Sequence, residues 1–241
     1  MSTPAALDRV RVVLSHTSHP GNIGAAARAM KTMGLTRLFL VGPKSFPHPD
    51  AEAFAAGAID VLRGATLCDS LDAALGTTVL AVGSTARPRA FALETVDCRE
   101  ACRRLIAESQ SGEVALVFGP ERTGLTTRDL SRCRLIATVP THPAYPSMNL
   151  AQAVQVFAYE LRMACAAAPP SPPAGRPATH EQIERFHALL EKTLYDLEFL
   201  DPAHPRRMLQ RLRRLFARAG LEQEEVNILL GILGTIRSKV E

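Results

Sequence analysis

Three separated segments of the chain place small residues and polar side chains where a strand is expected to lead into a helix. They are residues 22–28 (NIGAAAR), 119–125 (GPERTGL) and 146–154 (PSMNLAQAV). Glycine at such a corner lets a ligand lie against bare backbone, and the first turn of the following helix directs free N–H groups at that ligand. The three corners together predict one composite ligand-binding site.

The polar residues of these corners are the candidates for chemistry: Asn22, Arg28, Glu121, Ser147 and Asn149. Most also have an ordinary structural interpretation, because Asn22, and either Ser147 or Asn149, could simply cap a helix N-terminus. A glutamate in a loop is usually solvated. An arginine, by contrast, can grip a phosphate through two parallel hydrogen bonds, which makes Arg28 suited to an anionic ligand.

Composition limits the class of protein. The 241 residues are 46% hydrophobic, enough to bury a core. Five cysteines without a C-x-x-C pair fit neither a disulfide framework nor a zinc site, and Cys98 and Cys102 are expected to pack on one helix face. The N-terminus has no signal pattern and no apolar run reaches the ~18 residues of a membrane span. We expect a cytoplasmic protein that does not span a membrane.

The order of elements follows from hydrophobic patterning. Apolar, β-branched runs predict strands at residues 10–14, 38–41, 78–82, 114–118 and 135–139. Alanine-rich patterns between them predict helices at residues 23–33, 51–58, 99–108 and 150–167, with Gly34 ending the first and Asp97 capping the third. Continuous apolar strands that alternate with helices indicate an α/β domain with a parallel sheet, over residues 1–167.

A proline-rich stretch, AAAPPSPPAGRP at residues 166–177, interrupts this alternation and predicts an extended linker over residues 168–178. Beyond it, residues 180–199, 205–219 and 222–237 predict three helices and no strand. The chain is therefore expected to end in a small helical extension, residues 179–241.

The middle helix of this extension is rich in arginine. Residues 206–218 contain six arginines and no acidic residue. At 100° per residue four of them fall within a ~60° arc, and we call Arg207, Arg211, Arg214 and Arg218 the arginine stripe. The opposite side is predicted to be apolar and to hold Met208, Leu212, Leu215, Phe216 and Ala219. A charged stripe is usually a solvated face, but one without interleaved acids favours contact with a polyanion.

The three corners resemble the three motifs of the SPOUT class of RNA methyltransferases. The resemblance continues through AMKTMGL at residues 29–35 and is most specific in LVFGPERTGL at residues 116–125. It extends to RRLFARA and NILLGIL in the tail, so it covers almost the whole chain. It implies a sheet whose C-terminal part is tied into a deep trefoil knot, and a homodimer that pairs through the knot region. The glycines do not form the G-x-G-x-x-G fingerprint of a dinucleotide-binding fold.

The same resemblance implies roles for individual residues, with S-adenosylmethionine as methyl donor and no metal. The residues implied to line the pocket for the donor are Ser84, Thr85, Ala86, Gly119, Val139, Pro146, Ser147 and Met148. The implied catalytic residues are Asn22, Arg28, Glu121, Ser147 and Asn149. The residues implied to face RNA are Arg87, Arg89 and the arginine stripe.

Similar helical extensions occur in the bacterial enzymes that methylate the 2′-oxygen of the pyrimidine at position 32 of tRNA, in the anticodon loop. The resemblance therefore implies a tRNA ribose methyltransferase. Two alternatives stay open: an enzyme of the same class that acts on ribosomal RNA or another tRNA position, and a non-catalytic RNA-binding protein. With a pKa of ~12.5–13.8, Arg28 would be a reluctant base, so we expect it to hold a phosphate and stabilise the developing alkoxide.

Overall fold

The computed structural model describes residues 5–86, 93–166, 175–201 and 208–240. The strands in these ranges are β1 (Val10–Ser15), β2 (Arg37–Val41), β3 (Thr66–Cys68), β4 (Thr78–Ser84), β5 (Thr95–Asp97), β6 (Glu113–Phe118) and β7 (Leu135–Thr138). The α-helices of the first unit are α1 (Pro20–Met33), α2 (Pro49–Ala55), α3 (Ile59–Arg63), α4 (Leu71–Leu75), α5 (Cys98–Glu108), α6 (Thr127–Leu130) and α7 (Leu150–Ala166). Those of the extension are α8 (His180–Asp196), α9 (Met208–Ala219) and α10 (Gln223–Val240).

The strands form one sheet in the order β3–β2–β1–β6–β4–β7–β5, and the pairings between them are parallel. The predicted parallel α/β sheet is confirmed. Because β6 lies between β1 and β4, and β7 lies beside β4, the carboxyl ends of these four strands are neighbours at one edge. Ligands of open α/β sheets bind at that edge.

Two strands were not predicted from the sequence, and both are three-residue strands at the ends of the sheet. In β3, Thr66 and Leu67 are exposed and Cys68 is half-buried. Such a strand has no continuous apolar run for a pattern to detect, because only one of its edges is paired and little of it is buried.

The core has two layers, one on each face of the sheet. Alternate side chains of β1 point to opposite faces, so Val12 and Leu14 join the larger layer and Val13 joins the smaller. The larger layer includes residues of α1, α5 and α7, and the smaller includes residues of α4 and α6. The predicted helix ends are confirmed at Gly34, which has a φ of 87°, and at Asp97, whose side chain accepts the Glu100 N–H at 2.8 Å.

The extension is a three-helix cluster, as predicted. Its core is formed by Phe186, Val226 and Leu233, and Phe216 of α9 packs edge-on against Phe186 with 4.7 Å between ring centroids. The first helix ends at Asp196 rather than at residue 199. Most of the predicted linker lies outside the described residues, and its described end at Pro177 forms a β-bridge with Glu222.

The extension docks against the α/β unit through charged side chains, which we call the docking cluster. Asp72 of α4 accepts from His180 Nε2 at 3.0 Å and lies 3.0 Å from Arg132 Nε. Glu184 of α8 pairs with Arg132 at 2.6 Å and with Arg213 through both of its oxygens. The His180 hydrogen bond holds the pKa of Asp72 below its usual value. The cluster therefore joins α4 and the loop after α6 to α8 and α9.

Candidate active site

A cavity of about 170 Å³ opens at the sheet edge where β4, β6 and β7 end. The eight residues implied from the sequence for the methyl-donor pocket all line it: Ser84, Thr85, Ala86, Gly119, Val139, Pro146, Ser147 and Met148. Strand order explains the convergence, since β6 and β7 are the two neighbours of β4. The cavity is smaller than the ~300–1,000 Å³ of typical small-molecule sites, so a nucleoside-sized ligand would extend beyond it.

The loop after β6 folds tightly on itself beside this cavity. The Gly124 N–H donates to Pro120 O at 2.8 Å, and Gly124 has a φ of 64°. A Cβ atom on Gly119 would lie 2.3 Å from the backbone nitrogen of Leu125. A larger residue at position 119 would therefore open the loop. The packing of the loop alone thus requires glycine at this position, whether or not a ligand binds.

Glu121, in this loop, is the hydrogen-bond centre of the site. Its carboxylate accepts from Ser18 N at 3.0 Å, Ser18 Oγ at 2.7 Å, His19 N at 3.2 Å and Asn22 Nδ2 at 2.8 Å. Burial pushes the pKa of Glu121 upward, but the hydrogen bonds from Asn22 and Ser18 outweigh it and lower the pKa to about 2. The carboxylate is ionised at neutral pH and ties the β6 loop to the β1–α1 loop.

Asn22 extends this chain of hydrogen bonds to the third corner. Its Oδ1 accepts from Asn149 Nδ2 at 3.0 Å, so Glu121, Asn22 and Asn149 form a continuous series. Asn149 in turn accepts the N–H groups of Ala151 and Gln152 through Oδ1. One amide side chain therefore both fixes the start of α7 and aligns Asn22.

The structure identifies the residues that cap the N-termini of α1 and α7. The interpretation of Asn22 as the cap of α1 is wrong, because the helix starts at Pro20 and His19 is the capping residue, accepting the Gly21 N–H at 3.1 Å. This frees the Asn22 amide for Glu121 and Asn149. Of the two candidates for the start of α7, it is Asn149 that caps, and Ser147 is an exposed lining residue of the cavity.

Arg28 does not join this cluster. It is an exposed residue of α1, and within the described residues its guanidinium makes no hydrogen bond or ion pair. Six residues of α-helix separate Arg28 from Asn22, which turns their side chains about 120° apart on the helix surface. The structure thus brings four of the five implied catalytic residues to one edge and leaves Arg28 on a different face.

The arginine-rich helix α9 agrees only partly with its predicted pattern. Arg211, Arg214 and Arg218 are exposed, and in the described part of the chain none of the three has a hydrogen-bonded or ionic partner. The apolar side is less buried than predicted, because Leu215 is 49% exposed. Three other residues implied to face RNA, Arg87, Arg89 and Arg207, lie outside the described residues.

Sequence reasoning missed Ser18 and His19, whose backbone N–H groups hold Glu121. The signal available was the segment HTSHPGN at residues 16–22, because a proline is typical of the first position of a helix and would place the helix start at Pro20. The docking cluster was also missed. Its partners lie 29 to 108 residues apart, so no local pattern connects them.

The described residues meet the requirements of neither a metal site nor a membrane-spanning helix. No group of three or more histidine, cysteine or acidic side chains among them is arranged to hold a metal ion. Likewise, none of the helices described has the length and apolar character needed to cross a membrane. Cys98 and Cys102 are buried in the core, where burial raises the pKa of each thiol.

Both parts of the chain match known protein families. The model of the SpoU rRNA Methylase family matches residues 9–159. The model of the tRNA methyltransferase TrmJ, C-terminal domain, matches residues 181–241. The first match covers the α/β unit with its cavity, and the second covers the extension.

Individual relatives match the chain along nearly its whole length. The tRNA (cytidine/uridine/adenosine-2′-O-)-methyltransferase TrmJ of Pseudomonas aeruginosa (strain UCBPP-PA14) is 47% identical, over 94% of this chain and 93% of that protein. The tRNA (cytidine/uridine-2′-O-)-methyltransferase TrmJ of Pectobacterium atrosepticum is 46% identical, over 96% and 98%. The crystal structure of TrmJ from Z. mobilis ZM4 is similar with a TM-score of 0.84 and 32% identity, over 94% of this chain and 98% of that one.

Proposed function

Because the chain belongs to the SpoU rRNA Methylase family, we propose that it transfers a methyl group from S-adenosylmethionine to a ribose 2′-hydroxyl of tRNA. One observation carries the proposal. The cavity at the ends of β4, β6 and β7 lies directly beside the Glu121–Asn22–Asn149 series, and Glu121 itself lines the cavity. A ligand pocket and a fixed polar cluster therefore share one edge of the sheet.

The residues of the cavity fit S-adenosylmethionine. Hydroxyl groups of Ser84, Thr85 and Ser147 and the backbone near Gly119 and Val139 offer hydrogen bonds to an adenosine. The ionised Glu121 contributes a negative charge beside a ligand whose sulfonium is positive. When bound, S-adenosylmethionine supplies an electrophilic methyl group, and transfer of that group requires no metal.

The protein's own contribution is alignment. Holding two reactants in line contributes ~7–11 kcal/mol to such a transfer. Glu121 cannot accept the ribose proton near neutral pH, because its pKa is about 2. It acts instead as a positioning residue that fixes Asn22, and Asn22 and Asn149 then present amide groups of defined orientation. Arg28 is assigned to the RNA phosphate next to the reacting ribose, where a bidentate guanidinium would also stabilise the negative charge that develops on the 2′-oxygen. The hydroxyl proton passes to solvent water as the oxygen bonds to the methyl group, and the C–S bond of the donor breaks to leave S-adenosylhomocysteine.

A tRNA substrate is favoured over ribosomal RNA by the extension. Residues 181–241 match a domain described for a tRNA methyltransferase, and the relatives of highest identity reported above are named for tRNA. The exposed Arg211, Arg214 and Arg218 supply positive charge for its backbone. We propose a pyrimidine at position 32 of the anticodon loop as the target. The ribosomal alternative keeps some support from the description of the family model itself.

The assembly is proposed to be a homodimer with a trefoil-knotted sheet, divided into a methyltransferase domain over residues 1–167, a linker over 168–178 and a tRNA-binding extension over 179–241. The apolar stripe of α7 that suggested an interface, Val154, Phe157 and Leu161, is buried within one chain. The exposed apolar residues of that helix are Tyr159 at 50% and Met163 at 42%, and these are the better candidates for contact with a second chain. The cytoplasmic location stays a prediction.

Two measurements test this function. Calorimetry with S-adenosylmethionine in the presence of a chelator should give binding, and Gly119→Ala should abolish it by opening the β6 loop. Labelled methyl transfer to an unmodified tRNA transcript, compared with a ribosomal RNA fragment of equal length, should favour the tRNA. Methyl transfer to the ribosomal fragment alone would mean that ribosomal RNA, and not tRNA, is the substrate. Transfer to neither RNA would favour the non-catalytic RNA-binding protein.

A further inference from the structure

A second cavity in the described part of the chain lies away from the candidate active site, between the α/β unit and the extension. We call it the junction cavity; its volume is about 550 Å³. It is lined by residues of β4, the loop after α6, α8 and α9, and shares no lining residue with the cavity at the ends of β4, β6 and β7. This volume falls within the ~300–1,000 Å³ of typical ligand sites.

Part of the lining of the junction cavity is apolar and aromatic. Phe216 of α9 lines it together with Ile183 and Leu221. His187 also lines it, with its ring centroid 6.0 Å from that of Phe216. Burial and the nearby Arg213 lower the pKa of His187 to about 4, so its ring is neutral near pH 7. These residues therefore supply uncharged aromatic groups of the kind on which a nucleobase stacks.

The lining also carries an excess of positive charge. Five arginines line the cavity: Arg132, Arg134, Arg211, Arg213 and Arg214. Three of them are neutralised within the chain, Arg132 and Arg213 by the docking cluster and Arg134 by Glu108 at 2.8 Å.

The remaining two, Arg211 and Arg214, have no hydrogen-bonded or ionic partner among the residues described and are exposed. Two guanidinium groups beside an apolar wall match the two halves of a nucleotide, its phosphate and its base.

We propose that the junction cavity binds one unstacked nucleotide of the tRNA, with its base on the Phe216 side and its phosphate between Arg211 and Arg214. The inference rests on the proposed tRNA substrate and assigns it a second site, separate from the one that reacts. A nucleotide within an RNA chain is favoured over a free one because Arg218, one turn further along α9, is also exposed and without a partner among the described residues. The unpaired charge thus continues past the cavity, as a run of phosphates requires.

Ala217 allows the cavity to be filled without removing a charge. It lines the cavity and is half-buried on α9, whereas Ala219 on the same helix is exposed and does not line it. The chain contains no tryptophan, so Ala217→Trp and the control Ala219→Trp each carry a single tryptophan, whose emission can be excited separately from that of the tyrosines. Blue-shifted emission from the first variant and solvent-like emission from the second would establish that only the first fills the cavity.

Affinity for unmodified tRNA is then measured for both variants. Ala217→Trp should bind roughly tenfold more weakly, because the stacked base loses its place, while Ala219→Trp should stay within about twofold of the wild type. Affinity for S-adenosylmethionine should be unchanged in both.

Arg211→Gln and Arg214→Gln should each weaken tRNA binding. Arg185→Gln should not, because Arg185 is an exposed arginine of α8 that lies outside the cavity. These charge variants keep the test valid if the tryptophan does not enter the cavity.

Three results would overturn the inference. In the first, Ala217→Trp binds tRNA with wild-type affinity, and the three arginine variants affect binding equally. The cavity would then be only a packing gap between the two units. In the second, the wild type binds free nucleoside monophosphates, and Ala217→Trp abolishes this binding but leaves tRNA affinity intact. The cavity would then be a site for a free nucleotide. A wild-type protein that binds no tRNA at all would remove the proposed function first and this inference with it, so the two failures are distinguishable.

Discussion

Glu121 is a charged residue whose hydrogen bonds fix the position of its neighbours. Four hydrogen bonds, two of them from Ser18, hold its carboxylate in one orientation. A carboxylate with so many donors is a poor proton acceptor, because protonation would sacrifice these bonds. Its function is to keep the β1–α1 loop and Asn22 in register with the β6 loop, which lines the cavity.

The low pKa of Glu121 predicts how stability depends on pH. The folded-state pKa of about 2 lies below the ordinary glutamate value of 4.5, so the ionised carboxylate stabilises the fold above pH ~4.5, and this contribution is lost as the pH falls towards 2. Glu121→Gln should therefore be less stable than the wild type at pH 7, and the difference should shrink between pH 5 and pH 2. Chemical denaturation across this range measures it. A difference that stays constant down to pH 2 would contradict the assigned pKa.

Asn149 has two tasks, and two substitutions separate them. Asn149→Ser keeps an oxygen able to cap α7 but loses the amide that donates to Asn22, so unfolding free energy should stay close to wild type while methyl transfer falls. Asn149→Ala loses both functions and should also cost about 1 kcal/mol of stability. Single-turnover rates and denaturation curves of the two variants test this. Equal methyl transfer by Asn149→Ser and the wild type would remove the link to Asn22 from the mechanism.

Elements with a strong local pattern could be predicted from the sequence, and contacts between distant elements could not. The apolar runs of β1 and β6 and the alanine-rich pattern of α1 identified these elements because burial on both faces of the sheet requires such residues. The three-residue β3 and β5 carry no such pattern. Glu121 and Asn22 were each singled out, but their hydrogen bond spans 99 residues, and only the order of the strands brings them together.

The helix α9 carries a prediction of its own. Replacing the exposed Arg211, Arg214 and Arg218 by glutamine should weaken tRNA binding across sequences and lower the slope of log affinity against log salt by about two to three. A control with the exposed Arg63, Arg103 and Arg185 replaced removes the same charge from other surfaces. Filter binding between ~50 and ~200 mM salt compares them. Equal slopes for the two triple variants would reduce the α9 arginines to an ordinary solvated face.

At the scale of the whole molecule, the α/β unit and the extension have separate hydrophobic cores and are joined by ion pairs of the docking cluster. The hydrophobic cluster of the extension is separate from those of the α/β unit, and Asp72, Arg132 and Glu184 connect the two. Arg28 and the Glu121 cluster lie on different faces of one chain. A homodimer resolves this separation if Arg28 of one chain completes the site of the other.

This arrangement predicts complementation between inactive variants. Arg28→Ala should bind S-adenosylmethionine but not transfer methyl, and Gly119→Ala should lose the cofactor. Mixing the two and allowing chains to exchange should restore about a quarter of wild-type activity, because half of the dimers would be mixed and each would hold one complete site. An inactive mixture, with mixed dimers verified by mass, would place Arg28 in the site of its own chain or outside the mechanism.

The central claim is that this chain methylates a ribose 2′-oxygen of tRNA, and the position of the transferred group tests it most directly. An unmodified tRNA transcript is incubated with the protein and methyl-labelled S-adenosylmethionine, then hydrolysed with alkali, which cleaves every linkage except those that follow a 2′-O-methylated ribose. The label should be recovered in one alkali-resistant dinucleotide that begins with the pyrimidine at position 32. Label recovered in mononucleotides would mean methylation of a base, and would contradict transfer to a ribose 2′-oxygen.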